Sequence, residues 1–140
     1  MSRAVRSGLL FRVCRGIYLY RPAQPNDGLL LYHVAALLRA DKFNYISLES
    51  SLSDVGAISQ IPLNWISIMS SGRSSIISCG DFGTIEYVHT SQGPENLASK
   101  ITYDQSHRLW RANVSLAVRD MKVTRRGCYL IDWSIVKELI

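Results

Sequence analysis

Apolar and polar positions change period several times along the chain, and each change marks an element. In Gly8-Leu9-Leu10-Phe11-Arg12-Val13-Cys14-Arg15-Gly16-Ile17-Tyr18-Leu19-Tyr20, two β-prone runs flank a short linker containing Gly16. Glycine supplies the positive φ that a tight hairpin connection needs. The pattern predicts arms near Leu9 to Val13 and Ile17 to Tyr20. Pro22 and Pro25, followed by Asn26, Asp27 and Gly28, end the second arm and form a linker. Over residues 29–39, Leu30, Val34, Leu37 and Leu38 share one helical face, with Leu31 and Ala35 beside it and Asp27 as a candidate cap. Leu48, Leu52 and Val55 repeat at helical spacing, which predicts a second helix with Ser47 as its cap and Gly56 as its close. The Phe43 to Ile46 run between the two helices reads as a strand fragment.

From Leu63 the period shortens. Trp65 to Met69, Ser75 to Cys79 and Thr84 to His89 read as strands, separated by Gly72-Arg73 and Gly80-Asp81, in the grammar of an antiparallel meander. Ser67, Glu86 and His89 belong on a wetter face. Ile66, Ile68, Ile85 and Tyr87 do not fit a single inward face, which predicts a sheet covered on both sides. Residues 96–100 are ambiguous, 107–112 suit another strand, and Asn113 opens a helical run through Leu116, Ala117 and Met121. After the break at Gly127, Tyr129 to Ile131 reads as extended, and Asp132 is placed to cap Trp133 to Leu139. The fold class is therefore α+β: a small N-terminal wing-like hairpin, residues 1–22, followed by a mixed helix and antiparallel-sheet body, residues 28–140.

Charge changes this picture most at the N-terminus. Residues 1–22 hold Arg3, Arg6, Arg12, Arg15 and Arg21 and no acid, so they carry the whole formal net charge of +5. The body is close to neutral. Arginine presents a planar fork of donors suited to phosphate oxygens, and several on a projecting hairpin can follow a nucleic-acid backbone. Arginines along an exposed edge also block strand-to-strand aggregation, so composition alone fits a solvated face equally well. A hydrophobic content of 47% argues for a globular chain. Cys14, Cys79 and Cys128 are odd in number and widely spaced, which reads as free thiols in a reducing, cytoplasmic setting. No apolar run approaches the length of a membrane span, and the N-terminus lacks the apolar core of a signal peptide.

Chemistry-bearing motifs are sparse. The sequence has no phosphate loop, dinucleotide fingerprint, paired-histidine zinc motif or nucleophile elbow, so it implies no cofactor and points away from an enzyme. His33, His89 and His107 are isolated from one another. Asp104, Ser106 and His107 have the residue types of a catalytic triad, but adjacency in the chain favours a polar loop. Glu49 beside Ser47, Ser50 and Ser51 reads as a polar helix face with hydroxyls assisting the first turn. Asp81, Glu86, Asp104 and Asp120 would have to converge for metal-dependent cleavage of nucleic acid, and their spacing carries no metal signature.

Several blocks together resemble the AbiEi-type antitoxins of type IV toxin–antitoxin (abortive infection) systems. They are Ser7-Gly8-Leu9-Leu10 leading into Arg12-Val13-Cys14-Arg15-Gly16-Ile17-Tyr18, then Tyr45-Ile46-Ser47-Leu48-Glu49-Ser50-Ser51-Leu52, Gln60-Ile61-Pro62 and Val118-Arg119-Asp120-Met121. The resemblance implies a winged helix-turn-helix joined to a larger antitoxin domain, repression of the protein's own operon through double-stranded DNA, and a nucleotidyltransferase-like toxin as partner. It makes Leu9 to Tyr20 the wing, residues 1–7 the tail of the preceding helix and residues 28–140 the antitoxin body. The chain then departs from the family in starting too late for a full set of DNA-reading helices, and 1–22 is expected to be a truncated winged-helix remnant. A protein-interaction module without DNA binding is the alternative, with Trp65, Trp110, Trp133 and the tyrosines as anchors.

Overall fold

The computed structural model describes residues 10–14, 16–20, 29–58 and 64–140. Strands β1 (Leu10–Cys14) and β2 (Ile17–Tyr20) form a two-stranded antiparallel hairpin. Gly16 lies in its turn at φ +80, in the left-handed region that glycine enters without steric cost. The helix α1 (Leu30–Leu38) follows, then β3 (Asn44–Ile46) and α2 (Leu48–Asp54). Next come β4 (Trp65–Ser70), β5 (Ser75–Ser78), a single 3-10 turn at Gly80–Phe82 and β6 (Thr84–His89). The chain ends with α3 (Pro94–Leu97), β7 (Ile101–Asp104), β8 (Leu109–Ala112), α4 (Val114–Val123), a 3-10 turn at Cys128–Leu130 and α5 (Trp133–Leu139).

The body is a mixed α/β fold around an open six-stranded sheet in the order β5-β6-β4-β3-β8-β7. The antiparallel meander expected for residues 65–89 is not what forms. The local β5–β6 hairpin is antiparallel, but β6 then inserts beside β4 and pairs with it in parallel. Parallel pairing recurs between β3 and β8. Burial explains the order. In β4, every residue from Ile66 to Ser70 is buried, so this strand needs cover on both edges and both faces. Along β5, Ser75-Ile76-Ile77-Ser78 alternates between half-buried and exposed, which suits an edge. Both sheet faces are covered, as expected, but Ile66, Ile68, Ile85 and Tyr87 share one face rather than dividing between the two. One side carries α1, with Leu31, Val34 and Ala35 against Ile46, Ile66, Ile68, Ile85, Tyr87 and Leu109. The other carries α2, α4 and α5, packed through Leu52, Leu116, Met121 and Val136 against Tyr45, Met69 and Ala112.

Capping chemistry sets several boundaries. The side-chain oxygen of Asn113 accepts the Leu116 N–H at 2.8 Å and starts α4, and that of Asp132 accepts the Ser134 N–H at 3.1 Å and starts α5. Gly56, at φ +81, closes α2. Ser47 occupies the N-cap position of α2 but makes no capping bond there, because its hydroxyl is used elsewhere. Of the run Tyr129 to Ile131 expected to be extended, Tyr129 and Leu130 belong to the 3-10 turn and Ile131 is extended. The ambiguous residues 96–100 take in the end of the short helix α3 and the turn that follows it. Gly83, at φ +123, sits where a Cβ would collide with the Asn64 carbonyl and Leu31, so the entry into β6 requires glycine. The linker at Pro22–Gly28, with its proposed cap Asp27, and the Gln60-Ile61-Pro62 block lie outside the described residues.

Candidate nucleic-acid interface

The hairpin carries a bulge that decides which side chains face outward. Arg12 pairs with Tyr18 and Cys14 pairs with Ile17, so two steps on β1 match one step on β2. Residues 12 and 14 would share a face on a regular strand. The extra residue separates them, leaving Arg12 and Tyr18 exposed while Cys14 turns inward. Cys14 and the half-buried Ile17 join the apolar cluster between α1 and the sheet, and the thiol of Cys14 meets that of Cys79. Burial, followed by this neighbouring thiol, pushes the Cys79 thiol up to about 11, which keeps it protonated. The hairpin is thus anchored to the body on one face and presents an arginine and a tyrosine on the other. Of the five arginines assigned to nucleic acid, Arg12 takes this outward position, and Arg3, Arg6, Arg15 and Arg21 lie outside the described residues.

The serines of the second block do not assist the first turn of α2 as its polar composition suggested. Ser47, Ser50 and Ser51 are buried and bond across the core. The Ser50 hydroxyl accepts the Ser67 N–H at 2.9 Å while the Ser67 hydroxyl accepts the Ser50 N–H at 3.1 Å, and Ser51 donates to the Ala112 carbonyl at 3.1 Å. Ser47 donates to Asp120 Oδ2 at 2.7 Å, and the Tyr45 hydroxyl donates to the same oxygen at 2.9 Å. Burial raises the Asp120 carboxyl above the usual range despite these two donors. Burial and the Asp120 charge together raise the Tyr45 phenol.

Glu49 and Glu86 meet at one arginine. Helix α4 ends in a left-handed residue, Arg125 at φ +57, after which the Arg126 N–H returns to the Met121 carbonyl. That turn aims Arg126 back at the sheet. Its Nε contacts both oxygens of Glu49 at 2.8 and 2.9 Å, and its two terminal nitrogens form a fork on Glu86 at 2.8 and 2.9 Å. The Trp65 indole adds a 3.3 Å bond to Glu86. Hydrogen bonds from Arg126 hold the Glu86 carboxyl below its ordinary value against the opposing effect of burial.

The triad-like cluster is a structural turn between β7 and β8. Asp104 accepts from the Ser106 hydroxyl at 2.8 Å and faces His107 Nδ1 at 2.9 Å. The serine therefore bonds the carboxylate directly, whereas a triad needs the imidazole between them. Burial raises the Asp104 carboxyl, and the bonds from His107 and Ser106 outweigh it and hold the group well below the usual range. Arg111 ties Asp104 to Asp54, His107 packs edge-on against Tyr32, and His33 Nε2 lies 2.8 Å from the Ser106 carbonyl. These contacts fasten the β7–β8 turn to α1 and α2. His89 Nδ1 similarly contacts the Gly72 carbonyl at 2.9 Å. Asp81, Glu86, Asp104 and Asp120 do not converge. Among the described residues, no three His, Cys, Asp or Glu side chains form a group able to hold a metal ion.

The three tryptophans have different situations. Trp65 is half-buried against Glu86, while Trp110 and Trp133 are exposed. Among the described residues, no helix is long and apolar enough to cross a membrane. No family model, curated protein or solved structure matches the chain.

Proposed function

We propose that the chain is an antitoxin-like transcriptional regulator whose β1–β2 hairpin contacts the phosphates of double-stranded DNA as a wing. The observation that carries this reading is the bulged hairpin. It is fixed to the body through Cys14 and Ile17 and displays Arg12 beside Tyr18, within a segment that contains arginines and no acid. A rigid support favours phosphate contact, because little order has to be created on binding. The resemblance to AbiEi-type antitoxins adds repression of the chain's own operon and a nucleotidyltransferase-like toxin as its antagonist. The committed pairing of Glu49, Glu86, Asp104 and Asp120 supports a binding role over catalysis.

Fluorescence anisotropy with operator and scrambled duplexes at two salt concentrations tests the DNA role. We expect affinity to fall steeply with salt, and Arg12→Ala to weaken both duplexes while reducing the salt slope by about one. Absence of binding at low salt, or binding unchanged when Arg3, Arg6, Arg12, Arg15 and Arg21 are replaced together, overturns it.

A second reading, a protein-interaction module, is favoured by one observation. Val123, Tyr129 and Trp133 are all exposed near the end of α4 and the start of α5. Co-purification with the neighbouring gene product, lost in Trp133→Ala, is its expected outcome.

A further inference from the structure

We propose that the cleft where the end of α1 meets the starts of β3 and β8 binds an unpaired nucleotide of a single-stranded nucleic acid, with the base on Tyr103 and Trp110 and the phosphate on Arg108 and Lys42. Tyr103 and Trp110 are cross-strand partners on β7 and β8. Their rings meet edge to face with centroids 5.4 Å apart, yet they remain 46% and 41% exposed. Two large aromatics at the open end of a sheet are a platform on which a base can stack, and such stacking tolerates any base. The adjoining cavity measures about 180 Å³.

Charge selects the occupant. Every charged side chain lining the cavity is basic: Arg39, Lys42 and Arg108. Arg39 is already engaged, bonding Ser70 and Ser75 and lying 4.0 Å over the Tyr87 ring, so it contributes field rather than donors. Among the described residues, Lys42 reaches only its exposed neighbour Asp41, at 4.0 Å. Arg108 is exposed, and its side chain makes no hydrogen bond or ion pair with a described residue. Its backbone holds φ +60, a value at which a turn ordinarily carries glycine or asparagine. Asp104 and Arg111 neighbour the two aromatics in sequence and therefore project from the opposite face, where they pair with each other. The aromatic face is left with positive charge and free guanidinium donors. An anionic partner with planar, unstacked rings fits both features, whereas the bases of a duplex are already stacked.

The test uses the full chain with short fluorescein-labelled single-stranded RNA and DNA, a duplex of the same sequence, and free AMP and UMP followed by tryptophan quenching. We expect the single strands to bind more tightly than the duplex. Trp110→Ala should weaken them about tenfold, with Trp110→Phe retaining most of the affinity. Arg108→Glu, at an exposed site, should weaken them and lower the salt slope by about one. Arg12→Glu should leave single-strand binding intact, and duplex binding unchanged by that substitution counts against the wing and not against this cleft. Quenching by AMP or UMP that disappears in Trp110→Ala assigns a free nucleotide as sufficient, and quenching by strands alone assigns the polymer. No single-strand or mononucleotide binding at low salt overturns the proposal. So does binding unchanged in Trp110→Ala and Arg108→Glu with wild-type melting temperatures, or a concentration-dependent dimer abolished by Trp110→Ala, which assigns the cleft to a second copy.

Discussion

Glu86 accepts a guanidinium fork from Arg126, whereas Asp120 is held by two neutral hydroxyls, and pH acts on these two carboxyls with opposite sign. The Glu86 carboxyl is lowered in the folded state, so the unfolded chain binds its proton more readily. Its stabilisation is complete above the ordinary carboxylate value and is lost as pH falls through the folded value. Asp120 is raised, so its contribution is greatest below the ordinary value and declines as pH rises through the folded one. Urea titrations across pH should therefore show Glu86→Gln destabilised near neutrality with the deficit vanishing in acid. Asp120→Asn should gain on wild type as pH rises. Arg126→Met strands Glu49 and Glu86 together and should cost about 3 kcal/mol at neutral pH by the same measurement. None of this was legible in the chain, because Arg126 lies 77 positions from Glu49 and 40 from Glu86. The residues that were legible act locally: Asn113 and Asp132 cap the helices that follow them, and Gly16 turns its hairpin.

At the scale of elements, the hydrophobic period located both long helices and the strands that carry enough apolar residues. It left Ile101-Thr102-Tyr103-Asp104 unassigned, since only Ile101 and Asp104 are even partly buried and pairing with β8 defines the strand. The N-terminal hairpin was predicted from its turn, but its bulge was not, although the bulge is what turns Arg12 outward. Backbone space at a turn is equally silent in the sequence. Gly83 reads as one more loop glycine, yet Asn64 accepts the Thr84 N–H at 2.7 Å where a Cβ at Gly83 would intrude. Gly83→Ala should destabilise the protein by more than about 2 kcal/mol, measured by chemical denaturation, while Gly56→Ala, with open space around its Cβ, should cost less.

For the whole molecule, periodicity does not show which strand lies next to which. Ile66, Ile68, Ile85 and Tyr87, read as unable to share one face, all lie on the α1 side, and the cover on the other side is built on Tyr45, Met69 and Ala112. The insertion of β6 beside β4 follows from competition among strands for the central position, which a local window cannot contain. The sheet also has a narrow waist. Among the described residues, the three of β3 join the β5-β6-β4 half of the sheet to the β8-β7 half, antiparallel to one and parallel to the other. Tyr45 and Ile46 are wholly buried there, and the bonds from Ser47 to Asp120 and from Ser51 to Ala112 brace the same crossing. Neither half can open along this line without breaking the core on both faces. In hydrogen-exchange mass spectrometry, the peptide spanning Asn44 to Ile46 should exchange only through global unfolding, while peptides from the β5 and β7 edges exchange by local opening. Faster exchange at β3 than at either edge would contradict a single cooperative sheet. The shortest strand of the sheet is thus the one whose loss converts one folding unit into two.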